Sequence, residues 1–300
     1  MKWASTLGAK APPQSLKYLL HKHLTGWGAG RTLANIHASE LTKPEGLCPR
    51  LYALTDILKI KPKDEYLTTS MEVTYHMGRV LQDSAAGWFA DMGIAVGDWE
   101  CITCKQLHEF QTRPGGCIKC GSPAMKYKEI RFKSEECGAS CGVDIFVNLG
   151  GTKLRGVEFK TMDKDEFKSL QAPLAEHRLR SNFYCRIMAD ADTSKKNLIE
   201  TDKLTVLYIS KGGYGVADPQ LKVWGLNEGF SPFKEFVVNR DDSQTEYLWK
   251  RSKIVADYRR GLVGMPAGIC TTAMAKRAAY CMCKGPCFSG EHPAEYEWQT

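Results

Sequence analysis

The sequence contains no long apolar run. No segment approaches the ~18 to 20 consecutive apolar residues needed to cross a bilayer, and the first residues, MKWASTLGAKAPPQ, lack the apolar stretch of a secretory signal. We therefore expect no membrane partner and a cytoplasmic location. The 300 residues are 43% hydrophobic and 25% charged, which suits one large or two small soluble domains.

An excess of negative charge is also missing. The formal net charge of +7 is compatible with a polyanionic partner such as nucleic acid, although many proteins of this balance bind none. A disulfide framework is not expected either, because cytoplasmic thiols stay reduced. The twelve cysteines therefore favour metal sites.

The most specific motif lies within residues 97–126. Two CxxC pairs are separated by twelve residues, and glycines flank the second pair. Such knuckles turn backbone amides toward thiolates and are typical of a tetrahedral zinc ribbon. Since four thiolates leave no open coordination position, we expect a structural role, with DNA contact as an addition. The predicted zinc ligands are Cys101, Cys104, Cys117 and Cys120.

The segment CGVDIFVNLGGTKLRGVEFKTM, residues 141–162, predicts a β-hairpin with a short glycine-bearing loop. If the loop is centred on Gly151, the numbers of paired residues sum to 302, and Asp144 lies opposite Glu158. Opposed residues have Cβ atoms roughly 4.5 to 5.5 Å apart. Lys160, two positions beyond Glu158, projects from the same face.

This convergence has a chemical meaning. Two neighbouring carboxylates repel each other unless a cation lies between them, and an ammonium group beside that cation can orient a water molecule. The hairpin therefore predicts a Mg or Mn site that can hydrolyse a phosphodiester. The plainer alternative is a surface strand whose glutamate and lysine are simply solvated.

Four further segments are assigned from pattern alone. Residues 71–92 predict a helix, 127–137 a strand that leads to the hairpin, 203–210 a strand, and 245–262 a helix. Cys137 and Cys141 are left without a metal role, since packing explains them more simply.

An acid on one strand followed by ExK on the next resembles the PD-(D/E)xK nucleases. The order of motifs is similar to that of RecB-like nucleases with an iron–sulfur cluster, among them CRISPR adaptation nucleases and phage recombination exonucleases. In chain order the motifs are CPR at 48–50, GxxxQ from Gly78 to Gln82, Asp144, the tripeptide 158–160, a helix with Arg180 and Tyr184, and three C-terminal cysteines.

The resemblance implies a set of site residues. Asp144, Glu158 and the backbone carbonyl of Phe159 would bind Mg or Mn, and Lys160 would position the attacking water. Two positions depart from the family pattern. Gln82 replaces a histidine, and its amide can contact a metal-bound water but is a poor direct ligand.

The second departure lies on the helix after the ExK motif. Arg180 replaces a glutamine, and its planar guanidinium suits a phosphate. Tyr184 matches the family, and together with Arg180 it would brace the DNA strand.

The resemblance also implies a [4Fe-4S] cluster that ties the two ends of the core together. Its ligands would be Cys48, Cys270, Cys281 and Cys287, with Cys283 as a substitute for one of them. Thiolates bind zinc as well as iron–sulfur clusters. A purely C-terminal zinc site, which would leave Cys48 free, is the alternative.

The implied fold is α/β, a RecB-like core with a mixed central sheet flanked by helices and an inserted zinc ribbon. We expect an N-terminal segment at 1–35, the core at 36–290, the insert at 97–126 and a tail at 291–300. The implied function is a Mg/Mn-dependent deoxyribonuclease, an exonuclease acting on single-stranded DNA or duplex ends.

Such an enzyme would act in recombination, repair or genome processing in a prokaryotic or phage-infected cell, alongside recombination or replication proteins. The alternative function is a non-catalytic DNA-binding module that retains a degraded nuclease core.

Overall fold

The computed structural model describes residues 35–42, 46–60, 65–212, 215–219 and 229–289, together with 20, 23–24 and 26–28. The strands are β1 Gly26–Gly28, β2 Ile36–His37, β3 Glu65–Leu67, β4 Ala95–Cys101, β5 Leu107–Thr112, β6 Met125–Lys128, β7 Ile130–Lys133, β8 Ala139–Val143, β9 Ile145–Val147, β10 Arg155–Met162, β11 Lys203–Ser210, β12 Val216–Ala217, β13 Phe230–Ser231 and β14 Phe233–Asn239. The α-helices are α1 Ala38–Leu41, α2 Pro49–Leu58, α3 Thr69–Asp91, α4 Lys164–Ser169, α5 Ala175–Asp190, α6 Asp242–Arg259 and α7 Lys284–Phe288. The expected N-terminal segment lies mostly, and the tail entirely, outside these ranges.

A seven-stranded mixed sheet forms the centre of the molecule. Its strand order is β14-β11-β10-β9-β4-β5, and β6 pairs with β4 beside this path. Strands β10 and β11 are parallel and the other pairs are antiparallel. A smaller sheet has the strand order β2-β8-β7, and its strand β8 directly precedes β9 of the large sheet in the sequence. The expected α/β class, a mixed central sheet flanked by helices, is confirmed.

Alternating side chains divide the sheet into two buried faces. On β11, Leu204, Val206 and Tyr208 belong to one apolar cluster with residues of α5 and α6, whereas Ile209 belongs to a second cluster that includes Ala85 of α3. This period of two is what buries both sides of a central strand. Helix α3 therefore covers one face, and α5 and α6 cover the other. None of the helices described is long and apolar enough to cross a membrane.

The hairpin that carries the expected site forms with the predicted register. Arg155 pairs with Val147, Gly156 with Phe146 and Val157 with Ile145, so the numbers of each pair sum to 302. The connection, residues 148–154, is longer than the short loop expected, because pairing stops at Val147. Its left-handed residue is Gly150, with φ of +84°.

One expected strand is wrong. Residues 127–137 do not form a single element, because β6 ends at Lys128 and β7 begins at Ile130. The break allows β6 to join the large sheet through β4, while β7 pairs with β8 in the small sheet. Glu129 lies at this switch between sheets. The expected strand at 203–210 has the bounds of β11, and the helix expected at 71–92 is α3.

Candidate functional site

Three side chains from the hairpin meet beside α5. Asp144 follows β8 and precedes β9, and its Oδ2 accepts a hydrogen bond of 2.7 Å from the amide of Phe159 on β10. The Lys160 Nζ donates to Glu158 Oε1 at 2.6 Å and to the carbonyl oxygen of Phe159 at 3.1 Å. The two carboxylates, the ammonium group and the Phe159 carbonyl thus converge as the hairpin register requires.

The site is deficient in positive charge. Glu158 is only 5% exposed, and its Oε2 has no hydrogen-bond partner among the described residues. Burial and the neighbouring Glu158 carboxylate raise the pKa of Asp144 well above its usual range. A buried carboxylate oxygen without a partner is costly. Asp144, Glu158 and the carbonyl of Phe159 are hard oxygen donors of the kind that bind Mg or Mn, so the residues present fit a divalent cation.

Helix α3 brings Gln82 to the same place. The Gln82 Nε2 donates to Asp144 Oδ1 at 3.0 Å and lies 3.4 Å from Glu129 Oε1. One amide group therefore bridges two carboxylates, a neutral contact where the resembling family has a histidine. Sequence reasoning missed Glu129, because it was assigned to the interior of a strand that the structure interrupts at that residue.

Helix α5 places the expected strand-bracing pair differently from the prediction. Tyr184 is 7% exposed and belongs to the apolar core, and burial followed by the Glu158 charge raises its pKa well above the usual range. A ring in the core does not stack on a base, so in this structure Tyr184 packs behind the carboxylates. Arg180 is partly exposed, and its Nε donates to Thr42 Oγ1 at 3.3 Å.

His177, one turn before Arg180, is tied to the sheet. Its Nδ1 lies 2.7 Å from the hydroxyl of Tyr208 on β11. Burial, together with the nearby charges of Lys160 and Arg180, lowers the pKa of His177 to about 4. The imidazole is therefore neutral at pH 7, and it packs against Tyr208 near Lys160 of the site.

The four ribbon cysteines form a compact group at the tips of β4, β5 and β6. Their sulfur atoms all lie within 4.8 Å of one another, with Cys101 and Cys120 3.6 Å apart and Cys104 and Cys117 3.5 Å apart. A tetrahedral metal with bonds of about 2.3 Å to sulfur requires sulfur separations of about 3.8 Å. The predicted metal-binding group of four cysteines is confirmed, and it could hold a metal such as zinc or an iron–sulfur centre.

The two knuckles of the ribbon have matching backbones. The amide of Lys105 donates to the carbonyl of Cys101 at 2.9 Å, and the amide of Gly121 donates to that of Cys117 at 2.8 Å. Each knuckle ends in a left-handed residue, with φ of +62° at Lys105 and +73° at Gly121. A glycine adopts this conformation readily, whereas a lysine does so at a cost.

A buried histidine lies next to this group. Burial opposes ionisation of Cys117, but the neighbouring His108 side chain and the amides of Lys119 and Cys120 lower its pKa to about 6. His108 is 5% exposed, although it lies outside the CxxC motifs. A thiolate stabilised in this way is prepared for metal binding.

Five cysteines line a second, apolar pocket between the start of α2 and the C-terminal segment. They are accompanied by Leu51, Leu54, Ala278 and Phe288, and the cysteines are Cys48, Cys270, Cys281, Cys283 and Cys287. Burial raises the pKa of Cys283 to about 12. Among the described residues, the ribbon provides the one group of three or more metal-ligating atoms within 4.8 Å of one another, so the thiols of this pocket are more widely spaced.

Hydrogen bonds also join the two ends of the core beside this pocket. The Arg50 Nε donates to the carbonyl of Pro266 at 3.0 Å, and an Arg277 guanidinium nitrogen donates to the carbonyl of Gly46 at 2.7 Å. The pocket is therefore formed by residues more than two hundred positions apart. Cys137 and Cys141, in contrast, are buried in the core, which agrees with a packing role.

Comparison with known proteins does not assign a family or a function to this chain. No protein-family model matches the sequence, and no curated protein matches it. Among solved structures, one titled "Crystal structure of SSO0001" is 14% identical over 84% of this chain and 85% of that chain, with a TM-score of 0.34. A likeness at this level carries no argument about fold or function.

Proposed function

We propose that this chain is a divalent-metal-dependent nuclease that hydrolyses phosphodiester bonds in DNA. The observation that carries the proposal is the convergence of Asp144, Glu158 and Lys160, in which one buried Glu158 oxygen has no partner among the described residues. Two neighbouring carboxylates beside a single ammonium group are an unstable arrangement without a cation. A bound Mg or Mn ion would supply Lewis-acid stabilisation of the phosphate charge.

Each residue has a task in this proposal. Asp144, Glu158 and the carbonyl of Phe159 would hold the ion, while the amides of Phe159 and Gln82 keep Asp144 in place. Lys160, held at 2.6 Å from Glu158, would orient the water that attacks the phosphorus atom. Arg180, partly exposed on α5, would contact a phosphate of the strand.

The apolar cysteine pocket supports a [4Fe-4S] cluster as the second metal centre. A cluster spreads its four irons over a cube, so its thiolates lie further apart than the ligands of one zinc ion, as they do here. Cys48, Cys270, Cys281 and Cys287 are the proposed ligands, and the buried Cys283 is the substitute. The ribbon, with its close tetrahedral spacing, would hold zinc in a structural role.

A second function has an observation in its favour. Gln82 stands against Asp144 where the resembling nucleases have a histidine, so a non-catalytic DNA-binding module with a weakened metal site is the alternative. Recombination, repair or genome processing is the proposed setting, with action on single strands or duplex ends. Metal binding and cleavage distinguish the two functions.

The test uses end-labelled linear DNA and circular DNA with Mn, on protein purified anaerobically. The nuclease proposal expects degradation of linear DNA, and an exonuclease leaves the covalently closed circle intact. DNA binding without cleavage by the wild-type protein in Mn or Mg would establish the alternative instead.

A further inference from the structure

A cavity of about 340 Å³ opens beside Asp144, between α3 and the β6–β7 junction. Ligand sites in proteins typically measure about 300 to 1,000 Å³, so this space suits a ligand the size of a nucleotide. Its lining combines Gln82 and three acids with four cations: Asp83, Glu129, Asp144, Arg79, Lys126, Lys128 and Arg131. The cavity is thus continuous with the candidate metal site through Asp144 and Gln82.

Three of the four cations of this cavity form no ion pair within the described part of the chain. Arg79, Lys126 and Arg131 are exposed, and none has a carboxylate partner among the residues described. The fourth, Lys128, lies 3.4 Å from Glu100 outside the cavity lining. The three unpaired cations are therefore available to an anion.

Two of the three acids in the same cavity are already engaged, and the third, Asp83, is exposed. Gln82 bridges Asp144 and Glu129, and Glu129 Oε2 lies so close to Gly142 that a Cβ there would come within 3.0 Å of it. Gly142 pairs with Arg131 across β7 and β8. The absence of a side chain at position 142 leaves room for Glu129 and Arg131 side by side. Gln82 therefore holds Asp144 and Glu129, and the three unpaired cations remain available to a ligand.

We propose that this cavity is a subsite for a phosphate of the polynucleotide strand next to the reacting linkage. Arginine forms two parallel hydrogen bonds with phosphate oxygens, and phosphate contacts fix the register of a strand without reading its sequence. The proposal rests on the proposed function, because the subsite acts on the strand that reaches Asp144. Arg79, Lys126 and Arg131 are positioning residues in it.

The test measures binding without cleavage. Fluorescence anisotropy of a labelled single-stranded oligonucleotide in EDTA compares the wild type with Arg79→Gln/Arg131→Gln and with a control, Lys153→Gln/Lys168→Gln. Lys153 and Lys168 are exposed and lie outside the cavity, so the control removes the same charge. We expect the cavity variant to bind at least about tenfold more weakly, with the salt slope reduced by about 1.4, and the control to change little. Equal effects of the two doubles would overturn the subsite, as would a wild type that binds no oligonucleotide.

Two further arms identify the phosphate. Replacing single linkages by neutral methylphosphonate should weaken binding of the wild type at one position and leave the cavity variant unaffected there, which a merely structural role would not produce. Failure to find such a position would overturn the proposal. A terminal phosphate is tested by adding a 5′-phosphate: a benefit that is lost only in the cavity variant assigns the subsite to the strand end, and no benefit assigns it to an internal linkage.

Failure of the subsite and failure of the proposed function are separable. Cleavage by the wild type in Mn, together with equal binding by the cavity variant and the wild type in EDTA, would refute the subsite alone. Weaker binding by the cavity variant, together with no cleavage by the wild type, would refute the nuclease proposal alone. Circular dichroism melting of both doubles confirms that each is folded.

Discussion

Replacing Glu158 by glutamine should stabilise the metal-free protein while removing its response to metal. The glutamine oxygen can still accept from Lys160, and the substitution removes the charge that repels Asp144 and the buried carboxylate oxygen that has no partner among the described residues. An unsatisfied buried polar group costs about 1 to 3 kcal/mol and a charged one costs more, so exchanging the carboxylate for a neutral amide lowers this cost. The weaker attraction for Lys160 offsets part of this, so we expect a net gain of about 1 kcal/mol, or a melting temperature about 2 to 4 °C higher.

The size of this effect depends on pH. Asp144 has a raised pKa because of burial and the Glu158 charge, so its ionisation destabilises the fold as pH rises above the usual value of 3.8. In the variant the repulsion from residue 158 is absent. The stability advantage of Glu158→Gln should therefore be small at acid pH and should grow as Asp144 ionises.

Metal should reverse the order of stability if the proposed site binds Mn. At a free Mn concentration of about one hundred times Kd, such binding would stabilise the folded wild type by about 2.7 kcal/mol. The variant, which lacks one of the two carboxylates, should gain far less. Thermal unfolding in EDTA and in excess Mn measures both effects, and Glu235→Gln, exposed on strand β14 of the same sheet, is the control for loss of one charge.

The reasoning has two points at which it can be refuted. A Glu158→Gln protein that is less stable than the wild type in EDTA would show that the buried carboxylate is already well accommodated. A variant that retains the full Mn-induced stabilisation would show that the ion binds elsewhere.

Three other predictions concern the cysteines and His177. Cys117→Ser should lose the metal of the ribbon, which we propose is zinc, and expose the insert to limited proteolysis before the rest of the core, as metal analysis and mass spectrometry of the fragments would show. Cys48→Ser, purified anaerobically, should lose iron, sulfide and visible absorption, whereas Cys137→Ser in the core should keep them, and retention of the full cluster by Cys48→Ser would leave a local C-terminal site. His177 stays neutral in the fold, so the unfolding free energy should fall as pH drops from 6.5 toward about 4, and His177→Phe should flatten that slope in acid titrations.

The local sequence pattern was sufficient to predict the hairpin and its register. The glycine-centred loop and the alternation of apolar residues gave the register that pairs Val157 with Ile145, because a slip of one residue would place Glu158 in the α3-facing apolar layer and Phe159 on the opposite face. The four ribbon cysteines were likewise predictable, since their spacing alone determines the knuckles. Both cases rest on contacts between neighbours in sequence.

The remaining features depend on long-range packing. Glu129 reaches the site because the chain changes sheets there, which alternation within 127–137 does not reveal. Tyr184 is buried because α5 packs against β8, near Cys141 and Glu158, whereas the helix pattern alone left one face of α5 open to a strand. The five-cysteine pocket brings together residues from opposite ends of the core. The spacing of these cysteines in the sequence therefore did not determine which of them would be metal ligands.

Cleavage of end-labelled linear DNA by the wild type, Glu158→Gln and Glu235→Gln in the presence of Mn tests the central claim most directly. The account predicts cleavage by the wild type and by Glu235→Gln, and none above background by Glu158→Gln. Undiminished cleavage by pure Glu158→Gln, or no cleavage by the wild type with Mn bound, would contradict it.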